Sequence, residues 1–275
     1  MREWILIVLV FLVVTQGTAQ PKTNGNDRAL NLGVFLLSDS GDPEVPAAFQ
    51  KLVTQLDSRR SNWSDDRFIA HVFSKTHRHL LKNYRSDASF VDLLETGDYN
   101  CLTGTGLYAI LLDYFDIPYT ITETNYHIFL IAETNSGRYL FEATDPLGGF
   151  LAGGRLIDSR IEEYRQTDQE LNAIDGQYEF RNKIFNTVSL VELAGLLFYN
   201  QAVNAYNNHQ LEMAVDFLDT ASQLYYSTRI EEMSQLILGT ITGIELEAAQ
   251  KEALRSKLTA MSLKRNGSLR LQASL

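Results

Sequence analysis

The hydrophobic period of the chain changes twice, and those changes constrain the fold more than any other feature. From Pro43 to Phe115 apolar residues recur at helical spacing: Phe49, Leu52, Val53 and Leu56 in one stretch, Phe68, Ile69, Val72, Phe73, Leu80 and Leu81 in the next. Asn62-Trp63-Ser64-Asp65-Asp66 between them supplies a turn, a cap and acidic first-turn residues. A short helix is expected over Phe90–Leu94, stopped by Gly97, and another from about Cys101 to just before Ile117-Pro118. The period then becomes two. "IPYTITET", "YHIFLIAE" and "RYLFEAT" are rich in β-branched and aromatic residues, and Thr134-Asn135-Ser136-Gly137 separates the last two. From Ser189, whose capping-box partner is Glu192, helical spacing returns almost to the end. Helices followed by consecutive strands imply an α+β domain, with N-terminal helices packed on an antiparallel sheet, and then an all-α helical-hairpin region.

The domain expectation is 1–19 leader, 20–30 polar mature N-terminus, 31–165 α+β domain, 166–187 linker, 188–265 helical region and 266–275 tail. Leader and export follow from Arg2, the apolar run Ile5–Val14 and the small residues of Gly17-Thr18-Ala19, the layout of a secretory signal peptide cut after Ala19. The apolar run covers half of a ~30 Å hydrocarbon core, too little for a spanning helix. No membrane attachment is expected beyond it. A net charge of −10 and the lack of a basic stripe with interleaved aromatics argue against nucleic acid as a partner.

Export makes the single cysteine, Cys101, informative. It has no internal disulfide partner, so it is reactive, paired between molecules, or buried and inert. Gly97-Asp98-Tyr99-Asn100 is turn-forming, so Cys101 falls in the first turn of a helix. There the dipole favours a thiolate, and free N–H groups can receive an oxyanion. A nucleophile there needs a base. His71, His77 and His79 read as a solvated helix face, and His209 as a turn residue. His127 stands on a strand among apolar positions. If Asn135-Ser136-Gly137 is a three-residue loop, Thr134 pairs with Arg138, and the register carried along the hairpin sets His127 opposite Asp145. A carboxylate there would orient the imidazole. A two-residue turn would shift this pairing by one. Otherwise Asp145, before Pro146, is a strand-ending turn residue.

"GDYNCLTGTGLYAILLDYFDIPYTI", "HIFLIAE" and "YLFEATDP" together resemble the transglutaminase-like superfamily of papain-type cysteine enzymes, over about residues 65–150. The resemblance implies a catalytic Cys101, His127 and Asp145, with no metal or other cofactor. It departs from the usual pattern at Leu102, where an aromatic is common, and at His127-Ile128-Phe129, where "H-A-W" is usual. Phe198, Ala202, Ala205, Ala214, Leu218 and Ala221 look like one tetratricopeptide repeat, which would pack on the catalytic domain or recruit a protein partner.

The expected function is that of a secreted cysteine acyl-transfer enzyme, of a bacterial periplasm or envelope, acting on amide bonds of a peptide or protein by hydrolysis or cross-linking. The alternative is an inactive scaffold of the same fold that binds a protein or peptide through its helical region.

Overall fold

The computed structural model describes residues 46–125, 127–174, 184–225 and 227–272, with side chains through residue 167 and again over 184–261. The leader, the polar N-terminus and the extreme tail therefore lie outside the described residues. The chain is α+β, as its periodicity implies. Helices α1 (Ala47–Arg60) and α2 (Asp65–His79) come first, then a two-residue strand β1 (Asn83–Tyr84), α3 (Phe90–Glu95) and β2 (Asp98–Tyr99). Helix α4 runs Cys101–Tyr114 and is followed by β3 (Tyr119–Thr124), β4 (Ile128–Thr134), β5 (Gly137–Phe141) and β6 (Phe150–Ala152). Then come α5 (Gly154–Ile174), β7 (Phe185–Val188) and four helices: α6 (Leu190–Asn207), α7 (Leu211–Leu224), α8 (Thr228–Gly243) and α9 (Ala248–Gln272).

The main sheet is antiparallel throughout, in the order β6-β5-β4-β3-β7. One face packs on α4, whose Leu107, Tyr108, Leu111 and Leu112 are fully buried beside Phe68, Phe90 and Phe141. The other face is covered by α5, where Ile157 is fully buried against Phe129, Ile131 and Leu140, with Ile161 and Tyr164 beside it. Strand β4 is thus covered on both sides, which explains its almost unbroken apolar run.

Helix α5 and strand β7 correct the linker expectation. Residues 154–174 are helical and continue across the expected boundary at 165, and β7 joins the sheet edge against β3. The cause is an i, i+4, i+7 stripe, Ile157-Ile161-Tyr164, set within a polar stretch. Helix α2 ends at His79, short of the Leu80 and Leu81 that continue its helical spacing, and the chain then turns into Asn83-Tyr84, which pairs in parallel with Asp98-Tyr99.

The C-terminal helices pack as hairpins. Ala202, Ala205, Ala214 and Ala221 are buried where α6 and α7 approach, joined by Val215, Leu218, Ile230 and Ile237. Helix α6 also reaches into the first core through Leu193, Leu196 and Leu197. A Cβ on Gly195 would lie 2.7 Å from that of Tyr225, so only glycine allows the α7 terminus to seat there. Among the described residues no helix is long and apolar enough to cross a membrane.

Candidate active site

Asn100 sets the start of α4. Its side chain accepts from Thr103 N at 2.9 Å, and the Thr103 hydroxyl accepts from Asn100 N at 3.0 Å, closing a capping box. Asn100 is itself pinned, its amide donating to the Ala88 carbonyl at 2.9 Å and that of Ser86 at 3.2 Å. The first intrahelical bond runs from Gly104 N to Asn100 O. The N–H groups of Cys101 and Leu102 are left without a hydrogen-bond partner among the described residues. Cys101, a free and half-exposed cysteine, is therefore the first helical residue, beside unused donors.

His127 precedes β4 by one residue. Its backbone N–H donates to the Thr124 hydroxyl at 3.1 Å, and its carbonyl accepts from Thr124 N at 2.8 Å. The Thr105 hydroxyl of α4 reaches the next carbonyl, that of Ile128, at 3.4 Å, tying helix to strand. Cys101 and His127 line one small cavity of about 130 Å³, close enough for the sulfur to act on the imidazole.

The carboxylate on the far side of the ring is Glu142. His127 Nε2–H donates to Glu142 Oε2, forming an ion pair when the ring is charged. The rest of Glu142 is fully engaged: Oε1 accepts from the Thr144 hydroxyl at 2.6 Å and Thr144 N at 3.0 Å, and Oε2 from the Tyr164 hydroxyl at 2.9 Å. The Tyr164 ring also lies 5.0 Å from the imidazole, closing the site from α5.

Electrostatics follow from this geometry. Burial alone would push the His127 imidazolium down. The hydrogen bonds and charges of Cys101 and Glu142 more than reverse that, and its pKa is raised to about 10. Burial likewise pushes Glu142 up, but the hydrogen bond and charge of His127, with the Thr144 bonds, bring it below its ordinary value.

Asp145 is not the residue that meets His127. The hairpin turn has two residues, so Thr134 pairs with Gly137 and Glu133 with Arg138. The register is shifted by one from the three-residue expectation, and such a shift exchanges the two faces of a strand. Glu142, two residues back from the position opposite His127, is its diagonal neighbour on the same face, within reach of a long side chain. Asp145 instead caps the following turn, accepting from Gly148 N at 2.7 Å and Leu147 N at 3.2 Å, with Arg160 at 4.0 Å.

The sequence reading missed Glu142, although it left a signal: a carboxylate inside the apolar run "YLFEAT" must find a partner if that strand is buried. It also missed Arg229 of α8. This guanidinium donates through Nε to Glu123 Oε1 at 2.9 Å, and through Nη2 to the carbonyls of Thr124 at 2.7 Å and Asn125 at 2.8 Å. The Tyr225 hydroxyl adds a bond to Glu123 Oε2 at 2.8 Å. The C-terminal helices thus hold the turn that leads into His127. With Leu196, Tyr199 and Asn200 of α6, Arg229 forms the far wall of the cavity. Tyr84 stands exposed near the Cys101 thiol, its ring edge-on to Tyr99 at 6.1 Å.

The other histidines divide. His209 sits in the α6–α7 turn with φ 62°, as expected. His77 is not a solvated residue: it is half-buried, and its Nε2 bonds the Ala143 carbonyl at 3.1 Å, bracing the segment that follows Glu142. Among the described residues no cluster of His, Cys, Asp or Glu is arranged to hold a metal ion.

Comparison of the chain with protein-family models, with curated proteins and with solved structures gives no match.

Proposed function

We propose that the protein is a cysteine acyl-transfer enzyme of the transglutaminase-like kind, acting on amide bonds of a peptide or protein. One observation carries the reading: a cysteine at a helix start faces a histidine whose far side is held by a buried, fully hydrogen-bonded carboxylate. The triad is Cys101, His127 and Glu142, with Glu142 in the place the family resemblance gave to Asp145.

Glu142 and Cys101 favour the imidazolium, and the reactive form of the site pairs it with the Cys101 thiolate, the nucleophilic state of a cysteine. The Cys101 sulfur attacks the carbonyl carbon, and the oxygen takes the negative charge beside the N–H groups of Cys101 and Leu102. His127 gives its proton to the leaving nitrogen as the C–N bond breaks, leaving a thioester. Water or an amine then attacks, giving a proton back to His127, and the thiolate departs. Glu142 keeps the ring oriented and its cation stabilised throughout.

A cavity of about 130 Å³, walled by the C-terminal helices, suits one extended side chain or a peptide end rather than a folded surface. The leader-like N-terminus supports export, with the site working in a periplasm, envelope or extracellular space. The helical hairpins resemble a tetratricopeptide unit and offer a surface for a protein partner.

Alkylation of Cys101 by iodoacetamide tests the reading. The rate at about pH 6 is expected to exceed that of a model thiol of pKa ~8.5 by about tenfold or more. A rate that tracks the model thiol across the neutral range would instead support the inactive binding scaffold.

A further inference from the structure

The outer faces of α1 and α2 carry a second, unrelated feature. Arg67, His71, Lys75 and Arg78 recur at i, i+4, i+8 and i+11 along α2, on one face. Lys51, Gln55 and Arg59 do the same along α1, while Asp57 is two residues from both Gln55 and Arg59 and points away. Between the helices lies a groove of about 540 Å³ lined by Arg59, Trp63, Arg67, His71 and Lys75.

This concentration of cations stands out in a chain of net charge −10. The two acids at the start of α2 are engaged elsewhere, Asp65 by Arg60 at 2.7 Å and Asp66 by the Tyr139 hydroxyl. Among the described residues no carboxylate pairs with Arg59, Arg67 or Lys75. After burial, the groups that act on His71 are Lys75, Arg59, Arg78 and Arg67, all cationic and all pushing its pKa down.

Trp63 organises the cluster. The Arg67 guanidinium lies 4.1 Å from its ring centroid, Arg59 lies 5.7 Å away, and His71 packs edge-on at 4.8 Å. Stacking fixes the planes of the guanidinium groups and leaves their N–H edges free to bind oxygens, the pre-organisation suited to phosphate or sulfate. The half-buried Trp63 and the concave groove fit a compact ligand better than a flat bilayer.

We propose that the α1–α2 groove binds a compact, multiply charged oxyanion ligand, of the polyphosphate or polysulfated-sugar class, held by Arg59, Arg67 and Lys75 against Trp63. The ligand would neutralise charge left uncompensated among the described residues. The inference does not depend on the chemistry of Cys101.

The full chain has two tryptophans, so a Trp4→Phe variant makes Trp63 the sole reporter. Its emission is titrated with tripolyphosphate and with sucrose octasulfate, at low and at physiological ionic strength. A saturating change with either is expected; which one binds more tightly identifies the source. Affinity should fall by about tenfold when Arg67→Gln and Lys75→Gln are added, and should weaken with salt. No saturating change with either ligand, or the same midpoint in the double substitution, overturns the proposal. So does binding confined to phosphatidylserine vesicles. Should the double variant fail to fold, proton NMR of His71 in the Trp4→Phe protein decides: its pKa must rise when tripolyphosphate or the octasulfate is added, and no rise with either overturns the proposal.

Discussion

Glu142 sits almost fully buried in a segment of apolar residues, a position that a carboxylate tolerates only with a cation or several donors. It has both, and its partnership with His127 makes a pH signature. His127 is raised from its ordinary 6.5 to about 10, so its stabilising contribution is complete below about pH 6.5 and is lost as pH rises through about 10. Glu142 is lowered from 4.5, so its contribution is present above 4.5 and is lost as pH falls through its folded value. Glu142→Gln should therefore destabilise the protein most between about pH 4.5 and 6.5, by roughly 3 kcal/mol. The gap in Tm from wild type should close as pH approaches and passes 10. Asp145→Asn, which touches only turn amides and lies 4.0 Å from Arg160, should show no such gap. Melts of the three proteins by circular dichroism across pH check this. Equal profiles for the two variants would remove Glu142 from the site.

At the scale of elements, the site depends on how closely α4 approaches the segment after β5. A Cβ on Gly104 would stand 2.6 Å from that of Ala143, the neighbour of Glu142. Gly104→Ala gains up to ~1 kcal/mol of helix propensity but must push backbone apart at a cost of about 1–3 kcal/mol. The expected result is a net loss in Tm together with slower alkylation of Cys101, since the shift displaces Glu142. Much of this layer was legible. The period changes gave the helices before β3, the three central strands and the helical remainder, and the turn signal at Gly97–Asn100 set Cys101 at a helix start. The register was not legible from the turn alone, because Asn135-Ser136 and Asn135-Ser136-Gly137 are both acceptable hairpin loops, and a single residue decides which carboxylate faces His127. Helix α5 was masked by the polar residues around its Ile157-Ile161-Tyr164 stripe. Local periodicity also carries no information about Arg229, whose partners lie about a hundred residues earlier in the chain.

Over the whole molecule, the α+β half and the C-terminal helices form one structure around the candidate site. The Arg229–Glu123 pair is buried, with side chains 13% and 3% exposed, and it anchors the turn before His127. Among the described residues, Arg229→Met leaves the buried Glu123 carboxylate with only the Tyr225 hydroxyl. It should cost about 3–5 kcal/mol by denaturant unfolding and should also slow Cys101 alkylation, which a change confined to the helical region would not do. The account rests on Cys101, His127 and Glu142 acting together, and the most direct measurement is covalent trapping. The intact protein is treated with a peptide-like electrophilic probe at neutral pH and its adducts are mapped by mass spectrometry, for wild type, Cys101→Ala, His127→Asn, Glu142→Gln and Asp145→Asn. The account predicts one adduct, on Cys101, formed fast in wild type and Asp145→Asn, slowed by about tenfold or more in His127→Asn and Glu142→Gln, and absent in Cys101→Ala. Labelling of Cys101 at one common slow rate in all four cysteine-containing proteins would contradict it.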